Sequence, residues 1–125
     1  MKIPNGHQGL MPYLMLQDAA KFGEFAKTVF NAALIFSKNR DDNETVIHSE
    51  LQINGCTIMF CDATEDWKPQ PANLFVYVEN ADETYQKALA AGCIRVMEPA
   101  DQDYGRSCGA RDTFGNVWWI TSVTA

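Results

Sequence analysis

The stretch Arg111-Asp112-Thr113-Phe114-Gly115-Asn116-Val117-Trp118-Trp119-Ile120 decides the fold of this chain. It reads as a turn around Phe114-Gly115 that feeds a strand, because glycine accepts positive φ without a Cβ clash. The residues that follow are aromatic and β-branched, side chains that fit a pleated, half-buried surface. Alternation sends Val117, Trp119 and Thr121 to one face and Trp118 and Ile120 to the other. A tryptophan on each face predicts a strand covered on both sides.

Upstream of this strand, residues 106–111 read as a short strand, 99–104 as a loop and 93–97 as another strand. A helix precedes them, capped by Asn80 with Glu83 three residues on. It is striped by Tyr85, Ala88 and Leu89 and ended by Gly92. Residues 73–78 open this half as a strand. The same order appears once before. Residues 9–17 form an apolar strand in which Pro12, lacking an N–H, marks an irregular or edge position. Asp18 is a good N-cap. Phe22, Phe25, Ala26, Val29 and Phe30 follow on one helical face, and Asn31 can end the helix in the left-handed conformation. Residues 32–37 form a strand and 39–43 a polar turn. Residues 45–53 alternate, with Ile47, Leu51 and Ile53 on one side and His48, Glu50 and Gln52 on the other. Asn54-Gly55 is a strong hairpin signal, and residues 56–61 return.

The two halves match. Gly55 and Gly115 lie 60 positions apart, and the caps Asp18 and Asn80 lie 62 apart. A supersecondary unit is therefore used twice: residues 1–61 as a first module, 62–71 as a polar linker carrying Trp67, and 72–125 as a second. Halves of about 60 residues bury little core alone, so one structural domain overall is expected.

Composition bounds the function. Of 125 residues, 46% are hydrophobic and 11% aromatic, enough for a real core. The net charge of −6 is scattered. That argues against nucleic acid and anionic membranes as partners, since both need basic patches. No apolar run approaches the roughly 18 residues of a membrane span, and the start lacks the pattern of an export signal. A cytoplasmic protein is expected, with its four cysteines reduced and used in packing. No C-x-x-C pair occurs and there are two histidines, which does not suit structural zinc.

Several of these segments together resemble a known family. Met11-Pro12-Tyr13-Leu14, His48-Ser49-Glu50-Leu51 leading to Asn54-Gly55 and Ile58-Met59-Phe60, and Tyr104-Gly105-Arg106 followed by Arg111 to Trp119 are similar to the PhnB-like subgroup of the glyoxalase/bleomycin-resistance/dioxygenase fold, the vicinal-oxygen-chelate superfamily. The resemblance covers residues 9–123. It implies an α+β fold of two tandem βαβββ modules whose curved mixed sheets form a cleft, with the helices outside. The fold hosts lyases, dioxygenases, isomerases and non-catalytic drug-binding proteins, so it does not settle function. The family's metal enzymes place His or Glu on four strands. The matching places here are Met11, Met59, Asn73 and Trp119. None is a usual ligand for a hard or borderline divalent cation, so the resemblance implies the scaffold without its chelating set: no metal and no cofactor.

With those positions facing inward, alternation predicts a ligand pocket of Tyr13, His48, Glu50, Met59, Asn73, Phe75, Tyr77 and Trp119. This is an aromatic and Met-rich lining with a few polar groups. Arg106 joins it as an anion clamp; Arg106 and Arg111 can serve an anionic ligand or pair with Asp103 and Asp112. The preferred reading is a metal-free, non-enzymatic protein that binds a small apolar or aromatic molecule and forms a homodimer. The alternative is a metal-dependent or His-based lyase, isomerase or dioxygenase, with His48 and Glu50 as catalytic candidates and His7 or Cys61 completing a shifted metal set. An interaction module is the third possibility. Trp67 either lids the pocket or packs at a subunit contact.

Overall fold

The computed structural model describes residues 1–123. They fold as two successive βαβββ modules, an α+β arrangement with two open, four-stranded mixed sheets. The chain divides into two compact units, Met1–Gln70 and the residues from Pro71 on. Among the described residues no helix is long and apolar enough to cross a membrane.

The first unit runs β1 (Tyr13–Leu16), α1 (Ala19–Phe30), β2 (Ala33–Asn39), β3 (Val46–Ile53) and β4 (Cys56–Asp62). The strand order is β1-β4-β3-β2, with β1 parallel to β4 and the other pairs antiparallel. Helix α1 begins where Asp18 accepts the Lys21 N–H and ends at Asn31, whose φ of 55° is left-handed. Its buried face (Phe22, Phe25, Ala26, Val29 and Phe30) meets the apolar side of the sheet, where Leu14, Leu16, Leu51, Ile53, Ile58 and Phe60 are buried. Phe22 packs edge-on against Phe60. Asp62 ties strand to helix: Oδ1 accepts the Ala19 N–H at 2.8 Å and Oδ2 the Val46 N–H at 2.7 Å.

Two expectations need correction here. Strand β1 starts at Tyr13 rather than at residue 9. The Pro12 carbonyl accepts the Met59 N–H at 3.0 Å, but proline has no N–H to return, and the regular ladder begins after it. Ile47 does not share a face with Leu51 and Ile53. The β2–β3 register steps from Lys38↔His48 to Asn39↔Val46, so Ile47 is the extra residue of a bulge. Val46 is buried in its place and Ile47 is exposed.

The second unit runs β5 (Asn73–Tyr77), α2 (Ala81–Ala90), β6 (Ile94–Gln102), β7 (Gly105–Arg111) and β8 (Val117–Ser122), in the sheet order β5-β8-β7-β6 with β5 parallel to β8. Asn80 caps α2 by accepting the Glu83 N–H, and Ser122 Oγ accepts the Ala81 N–H at 3.2 Å. The helix packs on β6, β7 and β8, burying Ala81, Tyr85 and Ala88 among Val76, Cys108, Ala110, Trp118 and Ile120. The expected loop at 99–104 is mostly strand. Pro99 fits because β6 is an edge strand and its register shifts between Met97 and Ala100, a place where a missing N–H costs no ladder bond.

The turn before β8 is built on one buried carboxylate. Asp112, 3% exposed, accepts the N–H groups of Phe114 and Asn116 on Oδ1. Its Oδ2 accepts the Asn116 amide at 3.3 Å and the Trp118 indole N–H at 2.8 Å. Gly115 sits in this turn at φ 92°.

Candidate functional site

In the first unit the sheet face away from α1 carries Tyr13, Met15, His48, Glu50, Gln52, Thr57, Met59 and Cys61, by the alternation of β1, β3 and β4. Tyr13 and Glu50 both lie opposite Met59, one from each neighbouring strand, so the three form a row across the sheet. A chain of polar groups runs beside that row. The Tyr13 hydroxyl lies 3.1 Å from His48 Nδ1, His48 Nε2 is 2.8 Å from Glu50 Oε2, and His7 Nε2 is 2.7 Å from Glu50 Oε1. The consistent protonation has each Nε2–H donating to Glu50 and the Tyr13 hydroxyl donating to Nδ1. Hydrogen bonds from His48 and then His7 hold the Glu50 carboxyl below the usual carboxylate range. Burial pushes the Tyr13 phenol above its ordinary value.

His7 arrives on a segment laid across this face. Gln8 bonds both the carbonyl and the N–H of Thr57, at 2.9 and 3.2 Å. The Gly6 carbonyl accepts from Thr57 Oγ1 and from Gln52. Beyond the segment, Tyr13, Met15, Arg40, Ile47, Cys61 and Trp67 line an open cavity of about 520 Å³. The bulge is what brings Ile47 there. Arg40 donates to the Asp62 carbonyl at 2.9 Å.

In the second unit the corresponding row is Phe75, Trp119 and Gly109. A Cβ on Gly109 would come within 2.7 Å of the Trp119 ring. Glycine is therefore what lets the indole lie down on β7. The indole N–H donates to Asn73 Oδ1 at 3.1 Å. Tyr77 stands beside Phe75, edge to face at 5.2 Å, and both are about half exposed. Asn73, Val96, Arg111, Val117 and Trp119 line an open cavity of about 640 Å³.

Within each unit the structure thus brings together most of the residues singled out from the sequence: Tyr13, His48, Glu50 and Met59 in the first, Asn73, Phe75, Tyr77 and Trp119 in the second. Arg106 is not among them. It shares the α2-facing side of β7 with Cys108, where it bonds Asp82 at 2.6 Å and Asp101 at 3.2 Å; the carboxylate partners are these, not Asp103. Arg111 does not pair with Asp112, which is committed to the turn. Three cysteines are buried and Cys56 is exposed, so not all four pack. Burial raises the thiols of Cys93 and Cys108 to about 12 and about 11, which keeps them unreactive at neutral pH.

Residues 11–120 match the model of the Glyoxalase/Bleomycin resistance protein/Dioxygenase superfamily. The chain belongs to this superfamily. It is 30% identical to the uncharacterized protein Mb0911c of Mycobacterium bovis, over 91% of this chain and 82% of that one. The same identity relates it to Rv0887c of Mycobacterium tuberculosis, over 91% and 74%. Among solved structures, the PhnB protein from Bacillus cereus superimposes with a TM-score of 0.75 at 22% identity, covering 93% of this chain and all of that one. FosX, the fosfomycin resistance protein of Listeria monocytogenes, gives 0.75 at 21% over 94% of each chain. TnmS3, an antibiotic binding protein from Streptomyces, gives 0.72 at 14% over 94% and 100%. These likenesses show the shared fold.

The residues that the family resemblance matches to its enzymes' metal places do not fit a metal. Met11 and Met59 offer thioethers and Trp119 no lone pair. Asn73 offers a carbonyl oxygen that already accepts from the indole. Among the described residues, no group of three or more His, Cys, Asp or Glu side chains is arranged around a common ion position. His7 and His48 lie on different oxygens of Glu50, and their N–H groups are spent on that carboxylate. Sequence reasoning missed Gly109, although an isolated glycine inside a strand is a signal of close approach.

Proposed function

We propose that this protein binds a small, flat, apolar or aromatic molecule and neither holds a metal nor catalyses a reaction. The observation that carries this reading is the seat of Trp119. At a place given to chelation in the family's enzymes, an indole is laid over Gly109, tethered by Asn73 and flanked by Phe75. A rigid aromatic platform beside an open cavity is a general means of holding a flat ring. TnmS3, an antibiotic binding protein, uses the same fold, which agrees with this use of the scaffold. The reading includes a homodimer in the cytoplasm. The exposed apolar side chains of the edge strand β2 (Leu34, Ile35 and Phe36) suit coverage by a second chain, and reduced thiols suit that compartment.

The test is metal analysis by mass spectrometry on protein purified without a histidine tag, together with titration of tryptophan fluorescence by a panel of polycyclic aromatics. The expected result is far less than one metal per chain and a saturable fluorescence change that W119A loses. One bound metal per chain, or no response to any compound, would overturn the proposal.

A second reading has its own support in the chain Tyr13–His48–Glu50–His7. A carboxylate orienting an imidazole that in turn faces a phenol is the arrangement of an acid–base relay. If the protein turns over a substrate, H48A should abolish the reaction. Unchanged turnover would remove His48 from any catalytic role.

A further inference from the structure

We infer that the cavity of the second unit selects planar aromatic anions, aromatic carboxylates above all, with Arg111 as the group that takes the carboxylate. The inference rests on the proposal that Trp119 is a ligand platform and names the class of molecule the platform holds.

The argument begins with how the four arginines are used. Arg95 bonds Glu98 at 2.8 Å, Arg106 bonds Asp82 and Asp101, and Arg40 donates to a backbone carbonyl. The Arg111 guanidinium makes no hydrogen bond or ion pair among the described residues, although its backbone is paired in the ladder. In a chain with 16 acidic side chains and a net charge of −6, a guanidinium without a carboxylate is out of keeping with its surroundings. The acid next to it in sequence is withdrawn: Asp112 is buried and filled by the Trp118 indole and the turn N–H groups. Alternation along β7 puts Arg111 on the same face as Gly109, and its partner across the ladder is Val117. It therefore stands one row from the indole, at the cavity's edge.

The rest of the lining agrees. It contains no acidic side chain, so Arg111 is its sole formal charge. Val96 and Val117 supply apolar walls. Asn73 has its oxygen engaged by the indole, which leaves its amide N–H groups as what it can offer a ligand. The set is a flat ring surface with forked cationic donors alongside, and a guanidinium matches a carboxylate bidentately. An indole alone would equally welcome a cation; the neighbouring guanidinium reverses that preference by repulsion. The cavity of the first unit differs, since Arg40 shares it with Asp66 and no single sign prevails.

The experiment is calorimetric titration of the full chain at low salt with three probes of one shape: 1-naphthoate, neutral 1-naphthamide and cationic 1-naphthylmethylammonium. Charge-assisted hydrogen bonds should make naphthoate about tenfold tighter than the amide, with the cation weakest. In R111Q, checked for an unchanged melting curve, the ratio of naphthoate to amide affinity should fall close to one; R111K should lie between. Equal binding of anion and amide by the unaltered protein, or an anion preference that survives in R111Q, overturns the inference and leaves the flat-ring proposal standing. Failure of all three probes to bind overturns the inference, while the flat-ring proposal stands or falls with the fluorescence panel.

Discussion

The same row of three positions crosses the open face of each module, and the two rows are filled differently. In the first module it is Tyr13, Met59 and Glu50; in the second it is Phe75, Trp119 and Gly109. The backbone beneath is alike even in its fastenings. The last strand of each module pins the first helical N–H, through Asp62 on Ala19 and through Ser122 on Ala81. The residue opposite the central strand makes the difference. Glutamate there gathers two imidazoles and, through one of them, a phenol, giving a polar, hydrogen-bonded face. Glycine there removes the side chain that would prop up an indole, giving a flat apolar face. One duplicated scaffold thus carries two differently filled rows.

The largest expected effect concerns the two hairpin turns. The first module turns on Asn54 and Gly55, at φ 52° and 76°, with no buried carboxylate. The second turns on Asp112. Replacing Asp112 with Ala strands several buried N–H groups and should cost about 3 kcal/mol or more in denaturant unfolding. Gly55→Ala, which only strains the backbone, should cost about 1 kcal/mol. Equal costs would mean that the buried carboxylate does not build the second turn.

A smaller effect separates the two faces by pH. Glu50 is held below the usual carboxylate range, so its contribution is fully present above the unfolded glutamate value of about 4.3. It is lost as pH falls through the lower folded value. The advantage of the unaltered protein over E50Q should be about 1 kcal/mol near neutrality and should shrink as the pH is taken below the ordinary glutamate range. Gly109→Ala, in the other row, should shift stability with no pH dependence over that range. A pH-independent difference for E50Q would show that the imidazoles do not act on an ionised Glu50.

Much of this was legible beforehand because strands alternate and the two hairpin glycines anchor the register. That is why Met59 and Trp119 could be assigned to matching faces. Ile47 escaped because a bulge adds a residue without changing composition, and alternation counted through it gives the wrong side. Arg106 escaped for a related reason: on a short strand one charged residue does not announce its face, although its parity with Cys108 and Ala110 places it toward α2. Residue type alone groups His7 with His48 and Glu50, and its 2.7 Å contact with Glu50 had no positional signal. It depends on a segment without periodicity that is held down by side chains of the sheet it covers.

The central claim, that an indole stands where the family's enzymes hold a metal, is tested most directly by following the three tryptophan indole N–H resonances by NMR during titration with naphthoate and, separately, with zinc. Naphthoate should move the Trp119 resonance, leave buried Trp118 in place and lose its effect in G109A, while zinc should move neither. Displacement of the Trp119 signal by zinc at one equivalent, with naphthoate without effect, would contradict the account.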